Sequence, residues 1–327
     1  MKLPNPLHRM FPLLAGTLLS AGAANAGRDA VIVYPAFGDV RGAVVEGRVV
    51  EKKSGSEPGA ADGRLHNLTR NARMFRNEER DGRAVSLRLG EREWQVKTDE
   101  EGYFRADIPA DAVLAPGWQS VTVNSAGAVN SGQLLVVPPE NIRGLISDLD
   151  DTILVTEVTS KSRMLRNTFL RNPAQRTAVP GTARLYAKVM AANPRPEAAP
   201  LVYLSASPRQ LHDSIAKFLA LNSFPNGVLI TKRVTNDKTS EPLANQFAYK
   251  TKKIEDIFAR LPNVRFVLVG DDGERDPEIY DWVRKRYPDR VEAIWIRRVH
   301  PDPQRARPEG QRDLAELIEE PVSGVAR

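Results

Sequence analysis

Three carboxylates crowd into four positions of "GLISDLDDTILV", where Asp148, Asp150 and Asp151 follow one apolar run and precede another. Like charges placed where a strand should be buried cost stability unless opposite charge meets them. Other apolar or helical runs begin or end on comparable chemistry. Ser205 follows "LVYL", Lys250 opens "KTKKIEDIFARL", and Asp271, Asp272 and Asp276 stand in "VLVGDDGERDPE". Together these residue types suit phosphoryl transfer. A carboxylate can attack phosphorus once the charge of the phosphate is neutralised. Asp148 is the candidate nucleophile. Asp150, two residues on and on the same side of an extended chain, is the candidate acid for the leaving oxygen and base for the water that follows. Ser205 and Lys250 are candidate phosphate ligands. Asp271, Asp148 and the carbonyl of Asp150 make an all-oxygen site for a hard cation, which suits Mg²⁺.

Calcium in an EF-hand loop is the competing account of the acids, and it fails on spacing. Counting from Asp148, the sixth position is Ile153 rather than Gly and the twelfth is Thr159 rather than Glu. The chain has no cysteine, which removes disulfides and thiolate metal sites, and its four histidines (His8, His66, His212, His300) are scattered.

The elements that must position these residues lie in 140–327. Apolar runs such as "RGLIS", "APLVYLSASP", "GVLITKR", "VRFVLVGDDG" and "RVEAIWIRR" alternate with helical stretches. In "RQLHDSIAKFLALN", Leu211, Ile215, Phe218 and Leu219 recur at helical spacing. That grammar predicts a parallel α/β sheet covered on both faces, with ligands beyond the carboxyl ends of its strands. Residues 27–139 read differently. Short alternating segments broken by Gly, Pro, Asp and Asn predict a smaller antiparallel β-sandwich, interrupted by a polar insertion over 53–82. "TDEEGYFRADIP" predicts a hairpin turning at Gly102. This part shows no convergent polar constellation and reads as scaffold or docking module.

The order D-x-D-x-T, strand-end Ser, Lys and G-D-x-x-x-x-D resembles the haloacid dehalogenase-like superfamily. Within it, "SDLDDTI", "YLSASPRQL", "FPNGVLI" and "VLVGDDGERDPEIY" are similar to the fungal actin-patch-associated phosphatidate phosphatase family, with lipins as more distant relatives. The resemblance spans roughly 140–300. It implies a Rossmannoid sheet and Mg²⁺-dependent dephosphorylation of phosphatidate to diacylglycerol through an aspartyl-phosphate. It also implies that Asp276 is a metal-shell ligand or a clamp on Lys250. Asp272 stands where a smaller polar residue is expected, which would alter the surroundings of the cation. The alternatives are phosphomonoester hydrolysis on another phospholipid or a soluble ester, and a non-catalytic phospholipid-binding module.

The opening "MKLPNPLHRMFPLLAGTLLSAGAANAG" has Lys2 and Arg9, a short apolar stretch and Ala24-Asn25-Ala26, the layout of a cleavable signal peptide over 1–26. Export to the periplasm or medium is the expectation. The formal charge of +6 falls to +4 once Lys2 and Arg9 leave. That mild excess is compatible with a peripheral contact to anionic membrane and calls for no nucleic acid. "KSRMLRNTFLRNPAQR" (161–176) has Met164, Leu165, Thr168 and Phe169 on one helical side, flanked by Lys161, Arg163, Arg166 and Arg171. It is either an ordinary core-facing helix or a membrane-resting one. The basic, Pro-rich "RRVHPDPQRARPEGQR" reads as a solvated connector.

Overall fold

The computed structural model describes residues 29–51, 81–110, 114–155, 173, 176–234, 240–241, 245–300 and 302–320. The signal-like segment, the 53–82 insertion (but for 81–82) and the amphipathic stretch at 161–176 (but for 173 and 176) fall outside them.

Eight short strands come first. They are β1 (Asp29–Val33), β2 (Ala36–Asp39), β3 (Gly42–Glu51), β4 (Ala84–Leu89), β5 (Arg92–Lys97), β6 (Tyr103–Pro109), β7 (Gly117–Ser125) and β8 (Ala128–Val137). Alternation drives them: along β6, Phe104, Ala106 and Ile108 are buried while Arg105, Asp107 and Pro109 are exposed. The β7–β8 turn uses Ala126 and Gly127 at φ 49° and 86°, the doubly left-handed geometry that matches strand twist in two-residue hairpins. Hydrogen bonding runs β1-β3-β2-β8-β7-β4-β5, with β6 on β3. Every pair is antiparallel except β2 with β8. The strands thus form one connected path whose inward residues, among them Val45, Leu87, Phe104, Val121 and Leu134, share a single core.

The expected hairpin at Gly102 forms only as a turn. Gly102 has φ 76°, and Asp99 Oδ1 accepts from the amides of Glu101 (3.1 Å) and Tyr103 (2.9 Å). The flanking strands then part, β5 pairing with β4 and β6 with β3. The ten-residue β3 offers β6 a seven-residue register, from Gly42↔Pro109 to Arg48↔Tyr103, which decides its partner.

The chain changes sheets between Val137 and Arg143. After β9 (Arg143–Ser147) comes a small two-stranded ladder, β10 (Leu154–Val155) with β11 (Thr177–Ala178). The main sheet continues with β12 (Leu201–Pro208), β13 (Val228–Lys232), β14 (Arg265–Asp271), β15 (Val291–Arg297) and β16 (Gln311–Asp313). Its order is β13-β12-β9-β14-β15-β16, all parallel. Consecutive residues of a strand serve opposite faces. Ile146 joins a cluster with α3 (Gln246–Arg260) and α4 (Asp276–Arg286). Leu145 joins one with α1 (Thr182–Met190), α2 (His212–Leu221) and α5 (Leu314–Glu319). Helices on both faces explain why these strands are almost continuously apolar. Phe37, Leu135 and Val137 of the first sheet pack into the α3–α4 cluster, so the two sheets share a core.

The chain leaves β9 for β12 and β13 on one side, then returns to β14 on the other. This reversal places a crevice beyond the carboxyl end of β9, where open α/β sheets bind ligands. Among the described residues, no helix is long and apolar enough to cross a membrane.

Candidate active site

Asp148 is the first residue past β9. Its amide donates to the Val269 carbonyl (2.8 Å), which holds it beside the end of β14. There Asp271 closes β14, and Asp276 begins α4 five residues later. All three carboxylates are buried, and one oxygen from each lies within 4.8 Å of the others. Lys250 reaches them from the first turns of α3. Its Nζ is 2.8 Å from Asp148 Oδ1 and 2.5 Å from Asp276 Oδ1. Asp276 is therefore both clamp and member of the cluster, while its Oδ2 accepts from the Asp271 amide (3.4 Å). Gly270 permits this approach, since a Cβ there would collide with the Asp276 carboxylate.

One lysine faces three buried acids. Burial pushes the Asp148 carboxyl well above its ordinary value. Asp276, Asp271 and Asp150 push it the same way, and Lys250 pulls against them. Burial and Asp276 raise Asp271, and burial raises Asp276 despite Lys250. Desolvation opposes the charge on Lys250, yet Asp148 and Asp276 outweigh it and hold the ammonium well above its usual range. Such a set is short of positive charge, and three clustered carboxylate oxygens are the donor set of a hard cation. The residues fit a metal ion on that ground.

Asp150 lies outside this cluster. Its Oδ2 accepts from Ser207 Oγ (3.3 Å), and burial and Glu274 raise its carboxyl against the opposing pull of Arg176. A carboxyl shifted that way retains its proton to higher pH, as a general acid should. Ser205 is fully buried one strand over. Its Oγ accepts from the Ser207 amide (2.9 Å), and its carbonyl accepts from Tyr249 Oη (3.0 Å). The structure thus joins Asp148, Lys250, Asp271 and Asp276 directly, and places Asp150 and Ser205 around Ser207 beside them.

Several contributors escape a reading of spacing alone. Thr152 Oγ1 donates to Asp148 Oδ2 (3.1 Å) and lies 3.4 Å from Asp271 Oδ2. The T of D-x-D-x-T was its signal. Tyr249, next to Lys250 in sequence, ties α3 to the Ser205 carbonyl. Lys232, buried at the end of β13, rests its Nζ 4.4 Å from the Tyr249 ring centre. Asp151 is a turn residue. It adopts φ 57°, which Asp tolerates better than most residues, and its carbonyl accepts from Arg297 Nη1 (2.5 Å).

Two expectations change here. Asp272 does not surround the cation: its Oδ1 accepts from the amides of Val299 (2.6 Å) and His300 (2.9 Å), tying the β14 loop to the chain after β15. The basic C-terminal stretch is more than a connector. Arg305 donates to the carbonyls of Asp272 and Glu274 (the latter at 2.6 Å) and pairs with Glu278 at 2.7 Å, so it clasps the loop between Asp271 and Asp276.

With this geometry in view, residues 143–298 match the family described as phosphatidate phosphatase APP1, catalytic domain. Residues 143–298 belong to that family. The phosphatidate phosphatase APP1 of Saccharomyces cerevisiae is 32% identical over 155 residues, covering 47% of this chain and 25% of the yeast protein. An uncharacterized Schizosaccharomyces pombe protein is 28% identical over 222 residues, 64% of this chain and 35% of its own length. The chain thus spans about a quarter to a third of the curated relatives it matches. Among solved structures, a carbohydrate acetylesterase from Xanthomonas citri aligns over 80% of this chain and 57% of its own, at 13% identity and a TM-score of 0.28, too slight a likeness to argue from.

Proposed function

We propose that this protein is an Mg²⁺-dependent phosphatidate phosphatase working through an aspartyl-phosphate. The observation that carries the reading is the buried Asp148–Lys250–Asp276–Asp271 cluster at the sheet's switch point, inside a segment of a phosphatidate phosphatase catalytic family. Asp148 attacks phosphorus, and the bond to the glycerol oxygen breaks as that oxygen takes the proton of Asp150. Asp150 then removes a proton from water, which attacks the phosphorus. Phosphate leaves and Asp148 is restored. Lys250 and Ser205 bind phosphoryl oxygens, and Thr152 orients the Asp148 carboxylate. Asp148, Asp271 and Asp276 would hold Mg²⁺, with the Asp150 carbonyl as a further oxygen, and the ion would supply the positive charge this cluster lacks.

A lipid leaving group is favoured by the small cavity beside Asp150, where Leu149, Leu154, Ile215 and Phe218 meet Arg176 and Ser207. The second reading keeps the chemistry on a soluble phosphomonoester. Phosphate release from phosphatidate in mixed micelles, against small phosphomonoesters and with Mg²⁺ or EDTA, separates the two. Turnover of soluble esters alone would end the lipid assignment.

The wider reading takes 140–327 as a haloacid dehalogenase-like domain, 27–139 as a β-sandwich domain and 1–26 as a cleaved export signal. Peripheral contact with anionic membrane through 161–176 belongs to the same reading. N-terminal sequencing of the mature protein and vesicle sedimentation test the last two.

A further inference from the structure

The two sheets leave a cleft of about 680 Å³ where they meet, bounded by β2, β3 and β6 on one side and by β13 and α3 on the other. Its charged lining is four cations, Arg105, Arg209, Lys253 and Arg260, and two carboxylates, Glu46 and Asp256. Glu46 is shared: Arg209 Nη2 lies 2.6 Å from its Oε2 and Arg105 Nη1 3.4 Å from its Oε1. Burial pushes the Glu46 carboxyl up, but Arg209, Lys253 and Arg260 together bring it below its ordinary value. Arg105 and Lys253 draw further compensation from outside the lining, from the largely solvated Asp107 (2.7 Å) and from Glu241 (2.7 Å).

Arg260 is the exception. Among the described residues it makes no hydrogen bond or ion pair, and its guanidinium stacks 5.0 Å from the Phe37 ring centre. A guanidinium cannot shed its proton, so its charge persists in the half-buried site. Beside it, Phe37, Val44, Ile230 and Ile257 form apolar wall.

We propose that this cleft is a second ligand site, distinct from the carboxylate cluster, for a small oxyanion of two or more charges carrying an apolar body. A phosphorylated or phosphonate-like molecule has that chemistry. Arg260 offers the anion a two-pronged donor, Lys253 and Arg105 add charge, and the apolar wall takes the body. The site exists only where the sheets meet, which gives the eight-stranded sheet a binding role. Arg209 also lies four residues after Ser205, so the occupied cleft adjoins the phosphate-binding strand end.

The test is calorimetric titration of the full-length chain with phenylphosphonate and with inorganic phosphate, each in Mg²⁺ and in EDTA. Without a metal, the four carboxylates around Lys250 repel anions, so binding in EDTA reports the cleft. One phenylphosphonate per chain should bind in EDTA, more tightly than inorganic phosphate. Arg260→Met should weaken it at least about tenfold, Arg260→Lys less, and Ser205→Ala not at all. Binding absent in EDTA, unchanged in both Arg260 variants, or lost with Ser205→Ala would overturn the proposal. Inorganic phosphate binding as tightly as phenylphosphonate would remove the apolar body from it.

Discussion

The eight-stranded and six-stranded sheets dispose of charge in opposite ways. In the first, charges pair off locally and near solvent: Arg41 with Asp39 across a turn, and Arg105 with Asp107 two residues away. Its more buried pair, Arg48 with Glu101 at 3.7 Å, still balances one charge with one. In the second, four carboxylates meet a single lysine beyond the ends of the strands. Local pairing leaves nothing for a ligand to complete, whereas convergence leaves a deficit that only a bound species can fill. Parallel topology produces the difference, because it brings the ends of distant strands to one edge.

That contrast can be broken or sharpened by experiment. The largest expected effect is from Asp148→Asn, which should cut phosphate release by at least about a thousand-fold while circular dichroism stays native. A variant with wild-type turnover would remove the nucleophile assignment. Lys250→Met should follow, destabilising the metal-free chain by about 3–5 kcal/mol in denaturant melts, because the buried acids lose their paired cation. If it melted like wild type, the cluster would not be short of positive charge.

Metal removal should have a pH signature. Asp148, Asp271 and Asp276 are all raised above the ordinary value of 3.8. Their contribution to metal-free stability is therefore complete below that pH and is lost as pH climbs through the raised folded-state values. The melting temperature in EDTA should fall over that range and that in Mg²⁺ should not, so the gap should widen with pH. A gap that narrowed would contradict the assignment. The smallest effect belongs to the other sheet. Arg105→Ala removes pairs with Asp107 and Glu46 in a side chain 49% exposed, and should cost under about 1 kcal/mol with phosphate release unchanged.

The parallel sheet and the convergence of Asp148, Lys250, Asp271 and Asp276 were legible because strand-end chemistry follows from alternating apolar and helical runs. Partners set by long-range geometry were not. Nothing near Gly102 announces that its strands will part, since that depends on the register β3 offers. Arg209 and Glu46 are 163 positions apart and meet only when the sheets do. Asp272 looked like chemistry because it neighbours Asp271, but successive side chains of an extended segment point opposite ways.

The Arg305 clasp bears on where the working unit ends. A chain shortened to 143–298 would keep every group expected to touch phosphate and every match to the family. It would lose Arg305, and with it the grip on the carbonyls of Asp272 and Glu274. It would also lose Leu314 and Leu317 from one face of the sheet, and Phe37 and Leu135 from the other. The smallest piece of this protein able to turn over substrate is therefore larger than the piece its relatives share.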